Sequence, residues 1–509
     1  MNMNRTSNVY TKDEARAALM RGVNEVADAV KLTLGAAGAN AVLESGMMPG
    51  HLVTNDGVSI ATMVVMADPV ENMGANLIKE IAARSDKESG DGTTTSTVLA
   101  QAILQEGVGV DASPMDIKRS LDECVPIIFA ALDEQTRAIT PDEVGQVAAV
   151  SAESQELGRI LQEIYQEIGK DGIVELDNSN LPETFYDITE GVRLRNAGWL
   201  GAYSSTEPGK AVFKKPQILI VKQKISTTDE VEPIFKAVAQ TGTRELVLFV
   251  DDIDMGVASR MAATHLQGGF KTLIIKAPTL WKDWLFEDFA RITGATVVDP
   301  AAGTSLKQFA MSWLGTCDKL ITTKDETRVI GIKDISEYVE QLSQGSDEDK
   351  LRASWLQTKV ATLKLGANSE SELSYVRLKA EDARNAAYLA LQDGIVPGGG
   401  VALMQAVDAL PDTVGGRILT KALYAPITQI ITNAGVDHEK VLLLFGEGFD
   451  ARTKEVVNMW DAGIVDPVRV VKNSVKNAIS VAGTVLTTQV VINLPKAEQN
   501  EAPRQMPGM

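Results

Sequence analysis

At 509 residues the chain is too long for one ordinary core and implies roughly three domains. Its 49 Lys+Arg against 68 Asp+Glu give a formal charge of -19, which argues against nonspecific nucleic-acid binding, since phosphates need a positive footprint. Cys124 and Cys317 make no disulfide framework and point to a reducing, cytoplasmic compartment. His51, His265 and His438 lie too far apart for a histidine-built zinc site. No apolar run reaches a membrane span, and the first residues hold no signal-like apolar region.

In chain order, Ala17, Val23, Val26, Ala27 and Val30 predict a helix over 13–34 that stops near Gly35. A short strand follows at 41–43. Leu52-Val53-Thr54 runs into Asn55-Asp56-Gly57, a hairpin signal, with Val58 to Ile60 as the returning strand. Pro69 opens a long helix that ends before Gly90, and further helices are expected over 98–106, 115–134 and 141–150. From about 151 the character changes: a helix at 157–168, a strand at 173–176, and a domain crossing at Thr189-Glu190-Gly191.

Apolar runs at 218–221, 246–250, 273–275 and 296–298 alternate with helix patterns at 229–240, 255–266 and 281–293. This is the rhythm of an α/β module. Residues 336–358 read as two short helices broken around Gly345-Ser346, followed by a strand at 360–365. A long helix over 370–392 carries the stripe Leu373, Val376, Ala380, Ala383, Ala387 and Leu391 and ends before Gly398-Gly399-Gly400. The remainder reads as helices over 416–434, 438–444, 451–462 and 468–485, with a polar, disordered tail from Lys496. Helical material at both ends encloses the α/β module.

The least ordinary stretch is Ser89-Gly90-Asp91-Gly92-Thr93-Thr94-Thr95-Ser96-Thr97. Glycines allow close backbone approach, Asp91 offers a hard oxygen to Mg²⁺, and a helix start offers N–H donors to phosphate. A plain helix cap would not explain three successive β-branched threonines at a helix start. The stretch reads as a nucleoside-triphosphate and metal site. In-line attack of water on a γ-phosphate needs a second carboxylate outside the metal shell. Asp56 and Asp382 are the candidates, the alternatives being turn chemistry and a solvent-facing helix charge. Gly398-Gly399-Gly400 is a second close-approach site or a hinge. Asp466 either accepts from a ribose hydroxyl or caps the helix after it.

These motifs resemble those of the group I chaperonin large subunit, the double-ring protein-folding ATPase. The resemblance rests on Thr33-Leu34-Gly35, Thr54-Asn55-Asp56-Gly57-Val58-Ser59, Glu71-Asn72-Met73-Gly74-Ala75 and Gly90-Asp91-Gly92-Thr93-Thr94-Thr95. Glu381-Asp382-Ala383, Gly398-Gly399-Gly400-Val401-Ala402-Leu403 and Asp466-Pro467 complete it, in family order across nearly the whole chain.

It implies a multidomain fold. A mainly helical equatorial ATPase domain would cover 1–137 and 393–509, a small α+β intermediate domain 138–191 and 361–392, and an α/β apical domain 192–360. It further implies that Asp91 binds Mg²⁺ and that Asp56 and Asp382 activate water. Gly92, Thr93, Thr94 and Thr95 would hold the phosphates of ATP. Thr33, Leu34 and Gly35 would line the pocket and help hold K⁺. Gly399 and Asp466 would touch the ribose, with Asp450 and Ala451 near the adenine. Partners would be non-native polypeptides and copies of the chain in a seven-membered ring, single or double. The implied groove for non-native protein uses Trp199, Leu200, Tyr203, Ile234, Phe235, Met261, Ala262 and Ala263.

The sequence also departs from the family pattern. Gly35-Ala36-Ala37-Gly38-Ala39 replaces Gly-Pro-Lys-Gly-Arg and removes two positive charges, and Phe449-Asp450-Ala451-Arg452 replaces Tyr-Asn-Ala-Ala. Ser204, Glu232 and Met261-Ala262-Ala263 thin the apolar groove, so a different co-chaperonin, or none, is expected. Thr358-Lys359 stands at a hinge that is normally a glycine pair, Gly191 is kept, and of the tail repeat only Pro507-Gly508-Met509 remains. Such divergence around an intact ATP site fits an accessory or virus-encoded copy. The alternative is an ATP-binding scaffold ring with little folding activity.

Overall fold

The computed structural model describes residues 8–44, 51–170, 172–179, 181–195, 197–201, 209–240, 242–267, 269–277, 282–356, 359–444 and 446–493. The chain forms two compact units. One comprises Met1–Lys170, Asn178–Phe185 and Leu365–Met509, and the other Asp171–Asp177 and Tyr186–Lys364. The expected three-domain division is finer than these two: 138–170 and 365–392 fall in the first unit, with both chain ends.

The first unit opens with β1 (Asn8–Thr11) and α1 (Lys12–Lys31). Ala15, Leu19, Val23, Val26 and Val30 recur at helical spacing and are buried, as the stripe requires. The hairpin here is β2 (Ala41–Glu44) with β3 (His51–Thr54), not a turn at Asp56. Residues 58–60, expected as its returning strand, begin α2 (Gly57–Met63). Asp56 is the reason. Its backbone is extended and its carboxylate accepts the N–H groups of Val58 at 3.2 Å and Ser59 at 2.8 Å. Satisfying those otherwise unpaired donors nucleates a helix despite two β-branched residues in its first turn.

Next, α3 (Pro69–Ser89) starts with proline where no N–H is needed and is capped by Asp68. A Cβ on Gly22 would lie 1.7 Å from the Glu71 carbonyl oxygen, and one on Gly74 2.0 Å from that of Leu19. The two glycines therefore let α1 and α3 meet backbone to backbone, which gives Gly74 a packing role. The helices α4 (Thr93–Gly107), α5 (Pro114–Glu134), α6 (Val144–Ala152) and α7 (Gln155–Ile168) follow.

In the second unit, β4 (Ile173–Asn178), β5 (Phe185–Arg195), β6 (Ala211–Lys214), β11 (Lys319–Thr322), β12 (Glu326–Ile330) and β13 (Lys359–Leu365) make one sheet. Its order is β4-β13-β5-β12-β11-β6. The expected crossing at Thr189-Glu190-Gly191 is continuous strand in β5. A Cβ on Gly191 would lie 2.4 Å from Val360 Cγ2.

The α/β rhythm builds the other sheet, parallel and ordered β10-β7-β8-β9, from β7 (Gln217–Ile225), β8 (Glu245–Ile253), β9 (Lys271–Lys276) and β10 (Val297–Val298). Its strands are unbroken apolar runs because both faces are covered. Leu219, Val221, Leu246 and Leu248 pack into one core with residues of α8 (Glu232–Gln240) and α9 (Met255–Leu266). Ile218, Ile220, Val247 and Phe249 pack into another with α10 (Lys282–Thr293), α11 (Ser336–Ser343) and α12 (Asp347–Leu356). The helix pair breaks at Gly345-Ser346 as read from sequence.

Back in the first unit come α13 (Glu370–Asp393), β14 (Ile395–Pro397), α14 (Val401–Ala406), α15 (Val414–Ala422) and α16 (Ala425–Asn433). The single helix expected over 416–434 is two, because Pro426 cannot donate back to the preceding turn. Of 438–444 only a single turn at His438–Lys440 is helical.

The helix expected over 451–462 is instead the hairpin of β15 (Glu447–Asp450) and β16 (Glu455–Asn458), turned at Lys454 with φ 62°. Its valines, Val456 and Val457, suit a strand. The chain then runs through β17 (Val465–Pro467), paired with β14, α17 (Val468–Thr487) and β18 (Val490–Asn493), paired with β1. One core holds residues from both ends of the sequence, from Ala15 and Val23 to Val485 and Val491. The nesting read from sequence is thus a single packed interior. Among the described residues no helix is long and apolar enough to cross a membrane.

Candidate functional site

Within the first unit lies a cavity of about 350 Å³. It is lined by every residue expected at the nucleotide: Thr33, Leu34, Gly35, Asp56, Asp91, Gly92, Thr93, Thr94, Thr95, Asp382, Gly399, Asp450, Ala451 and Asp466.

One end is built by the loop between α3 and α4. Gly90 (φ 62°) and Gly92 (φ 81°) are left-handed, and a Cβ at Gly92 would come within 2.7 Å of Ser474 Oγ. Gly92 caps α4 without a side-chain hydrogen bond, so no side chain occupies the donors of the first turn. The Gly92 carbonyl accepts the Ser96 N–H at 2.9 Å, the Ser96 hydroxyl at 2.8 Å and the Ser474 hydroxyl at 3.2 Å. With that acceptor tied back, the helix start presents donors and hydroxyls, which suits an anion. Thr33 Oγ1 lies 3.5 Å from Thr94 Oγ1, and Asn433 Nδ2 holds the carbonyls of Lys31 and Leu34 at 2.9 Å each.

Asp91 sits at the edge of this cradle. One oxygen accepts the Gly92 N–H at 2.5 Å and the other the Ser151 hydroxyl at 3.0 Å, so each keeps acceptor capacity. Burial pushes the Asp91 carboxyl up, against its two hydrogen bonds and Lys379. Asp382, on α13, is pushed well above the usual carboxylate range, first by burial and then by Asp91, with Lys379 opposing. Asp86, near the end of α3, is raised by burial, then by Asp56, Glu381 and Asp91. Crowded carboxylates raise one another because each disfavours the next charge. Among the described residues no group of three acidic, His or Cys side chains could hold a metal by itself. The open acceptor positions on Asp91 are of the hard oxygen type that Mg²⁺ takes from a single carboxylate beside phosphate oxygens and water.

The other end is made by β14, β17 and the β15–β16 hairpin. Gly399 (φ 63°) and Gly400 (φ 83°) turn the chain sharply, and the Gly399 N–H donates to Asp466, which faces Val396 in the neighbouring strand. Asp466 is not a helix cap, since α17 begins at Val468 with Pro467 before it. Burial and then Asp91 push its carboxyl up to about 7. Asp450 accepts the Arg452 N–H at 2.9 Å, and Leu34, Ile430, Phe449 and Ile464 supply apolar surface.

Five polar lining residues were not singled out from sequence: Asp86, Ser151, Glu153, Lys379 and Ser474. Lys379 carried a readable signal, being three residues before Asp382 and so on the same helical face. Ser151 and Glu153 carried none.

The second unit holds the expected groove residues less uniformly. Ile234 and Met261 are buried in the core behind α8 and α9, at 0% and 2% exposure, because these positions form the inner stripe of each helix. They are not groove surface. Phe235 is half-buried, edge-on to Phe270 with ring centres 5.3 Å apart; Trp199, Leu200 and Ala262 are half-buried and Ala263 is exposed. Tyr203, Ser204, Thr358 and the tail from Lys496 lie outside the described residues.

The family model of the TCP-1/cpn60 chaperonin family matches residues 26–496. Among solved structures, the chain is similar to the chaperonin gp146 from the bacteriophage EL 2 (Pseudomonas aeruginosa), crystallised in presence of ATP-BeFx. In crystal form II the TM-score is 0.71 at 19% identity, covering 95% of this chain and 98% of that one. In crystal form I it is 0.65 at 19% identity, covering 95% and 99%. The fold is that of a chaperonin, helical at the chain ends with an α/β module between, and the chain belongs to the TCP-1/cpn60 chaperonin family.

Proposed function

We propose that the chain is an ATP-driven chaperonin that encloses non-native polypeptides in a ring and assists their folding through Mg²⁺-dependent ATP hydrolysis. The observation that carries this reading is one cavity joining an uncapped helix start, Asp91 and Asp382. The first turn of α4, with Thr93, Thr94 and Thr95, binds the phosphates. Asp91 holds Mg²⁺, which supplies charge neutralisation to the phosphates. Asp382 orients the attacking water and takes its proton, a task matched to a carboxyl whose proton affinity is raised. Both oxygens of Asp56 already accept backbone N–H groups, so it serves as a fixed negative charge and a second acceptor for that water. Asp466 and Gly399 receive the ribose, and Asp450 and Ala451 the adenine edge. K⁺ at Thr33-Leu34-Gly35 would offset phosphate charge where Ala37 and Ala39 have replaced basic residues.

The domain assignment follows: equatorial over 1–137 and 393–509, intermediate over 138–191 and 361–392, apical over 192–360. Ring assembly as a homo-oligomer, seven-membered and single or double, is supported by two narrow ribbons with open edges. The β1–β18 ribbon exposes Val9, Val490 and Ile492, and the β2–β3 ribbon exposes Val42 and Val53. A cytoplasmic, phage-encoded copy fits the likeness to the phage chaperonin.

The second reading, a scaffold ring, is favoured by the inward-facing Ile234 and Met261, which leave less apolar surface on α8 and α9. Electron microscopy with and without ATP, beside a refolding assay lacking any co-chaperonin, separates the two. ATP-dependent refolding supports the chamber, whereas rings that hydrolyse ATP without rescuing any client support the scaffold. A protein that forms no ring overturns both.

A further inference from the structure

The C-terminal turn of α6 touches the three segments that carry Asp56, Asp91 and Asp382. Ser151 donates to Asp91 at 3.0 Å. Two residues on, the Glu153 carboxylate accepts from Asn55 Nδ2 at 3.1 and 3.3 Å, and Asn55 immediately precedes Asp56. The same carboxylate accepts Lys379 Nζ at 2.8 Å, and Lys379 lies one turn before Asp382 on α13. Lys379 is buried, at 8% exposure, while the Glu153 side chain keeps 34% of its surface open, so the lysine end of the pair is the desolvated one.

The backbone makes the choice of residue more telling. Glu153 is the C-cap of α6 with φ 54°, a left-handed position where glycine or asparagine is least strained. A branched-chain-free but full side chain there is disfavoured, and this one spends its carboxylate on Asn55 and Lys379. Strain held beside an active cavity points to a role for the side chain that bears it.

We propose that Glu153 is a positioning residue for the hydrolytic step: it ties the Asp56 turn to the Asp382 helix and so fixes the separation of the two carboxylates across the attacking water. This rests on the hydrolytic reading of the cavity. Glu153 acts through the two side chains it holds, Asn55 and Lys379. Its carboxylate is the shared acceptor, Asn55 reports to Asp56, and Lys379 both anchors α13 and lowers the proton affinity of Asp382. Removing the tie leaves the phosphate cradle of α4 intact, because no residue of that cradle bonds to Glu153.

The test uses the full-length protein with Glu153→Ala, Glu153→Gln, Lys379→Met and the Glu153→Ala/Lys379→Met pair. Glu153→Ala is expected to lower kcat at least tenfold while the Kd for ATP changes less than threefold. Glu153→Gln, which keeps an acceptor, should recover part of the loss, and the double variant should be no slower than the worse single one. Turnover of Glu153→Ala within twofold of the parent, or a Kd that rises as far as kcat falls, overturns the proposal. Amide exchange of the nucleotide-free proteins gives a readout independent of turnover. Peptides covering 53–60 and 376–386 should exchange faster in Glu153→Ala, and identical exchange also overturns it. A parent protein that hydrolyses no ATP counts instead against the proposed function, and the exchange result still decides whether the tie exists.

Discussion

A Cβ placed on Gly57 would lie 2.8 Å from Thr94 Oγ1, so the turn that carries Asp56 and the first turn of α4 meet with no room for a side chain. Thr93 Cγ2, at 3.1 Å from the same point, closes the other direction. Gly57→Ala should displace the Thr94 hydroxyl from the phosphate end and weaken ATP binding about tenfold, within the ~1–3 kcal/mol of overpacking strain. Isothermal titration with ATP checks this, and an affinity within twofold of the parent would show that the contact does not shape the site.

Asp382→Ala separates binding from chemistry. The side chain lines the cavity from α13, whereas the phosphate donors belong to the first turn of α4, so ATP affinity should stay nearly unchanged. Turnover should fall by about two orders of magnitude or more, the usual scale for a lost general base. Single-turnover hydrolysis measured beside equilibrium binding reads both quantities. Undiminished turnover would remove Asp382 from the mechanism.

The nucleotide-free protein carries a pH-dependent instability at Asp466. Burial lifts this carboxyl from 3.8 to about 7, so the folded chain keeps a proton that the unfolded chain has released between those values. Stability contributed by this group therefore falls as pH rises from about 4 to about 7, and the loss is complete above that range. The gap amounts to at most about 4 kcal/mol. Asp466→Asn, which can still accept the Gly399 N–H, should raise the melting temperature at pH 8 and leave it nearly unchanged at pH 4. Melting curves of both proteins at the two pH values test the sign, and a variant less stable at pH 8 would refute it.

Gly74→Ala tests the crossing of α1 and α3. The added methyl would fall 2.0 Å from the Leu19 carbonyl oxygen, and backbone on both sides leaves no flexible atom to move aside. Forcing the helices apart should destabilise the first unit by about 3 kcal/mol or more, above the ordinary range for one added methyl. Denaturant unfolding followed by a probe in that unit gives the number, and a loss below about 1 kcal/mol would mean that the helices slide past each other freely.

Much of the site could be read in the chain itself. Gly90-Asp91-Gly92 followed by threonines declares a left-handed turn into a helix start, because only glycine makes that turn without strain. Pro69 after Asp68 marks where α3 begins, and the valine- and isoleucine-rich runs of the middle section specify a parallel sheet covered on both faces. Chemistry of that kind is local, lying within a few residues of the feature it creates.

The rest depends on pairings that the residue pattern leaves open, some local and others between partners distant in sequence. Asp56 is a helix cap rather than a hairpin tip because its carboxylate found two backbone donors, and β15–β16 is a hairpin because its strands pair with each other instead of coiling. Ile234 and Met261 point inward because helix rotation is set by the sheet they cover. Glu153 and Lys379, 226 residues apart, have no relation until both segments pack into the same unit. Local backbone preferences were written into the sequence; which carboxylates share one cavity was decided only by tertiary packing, since burial and long-range contact are properties of the folded chain.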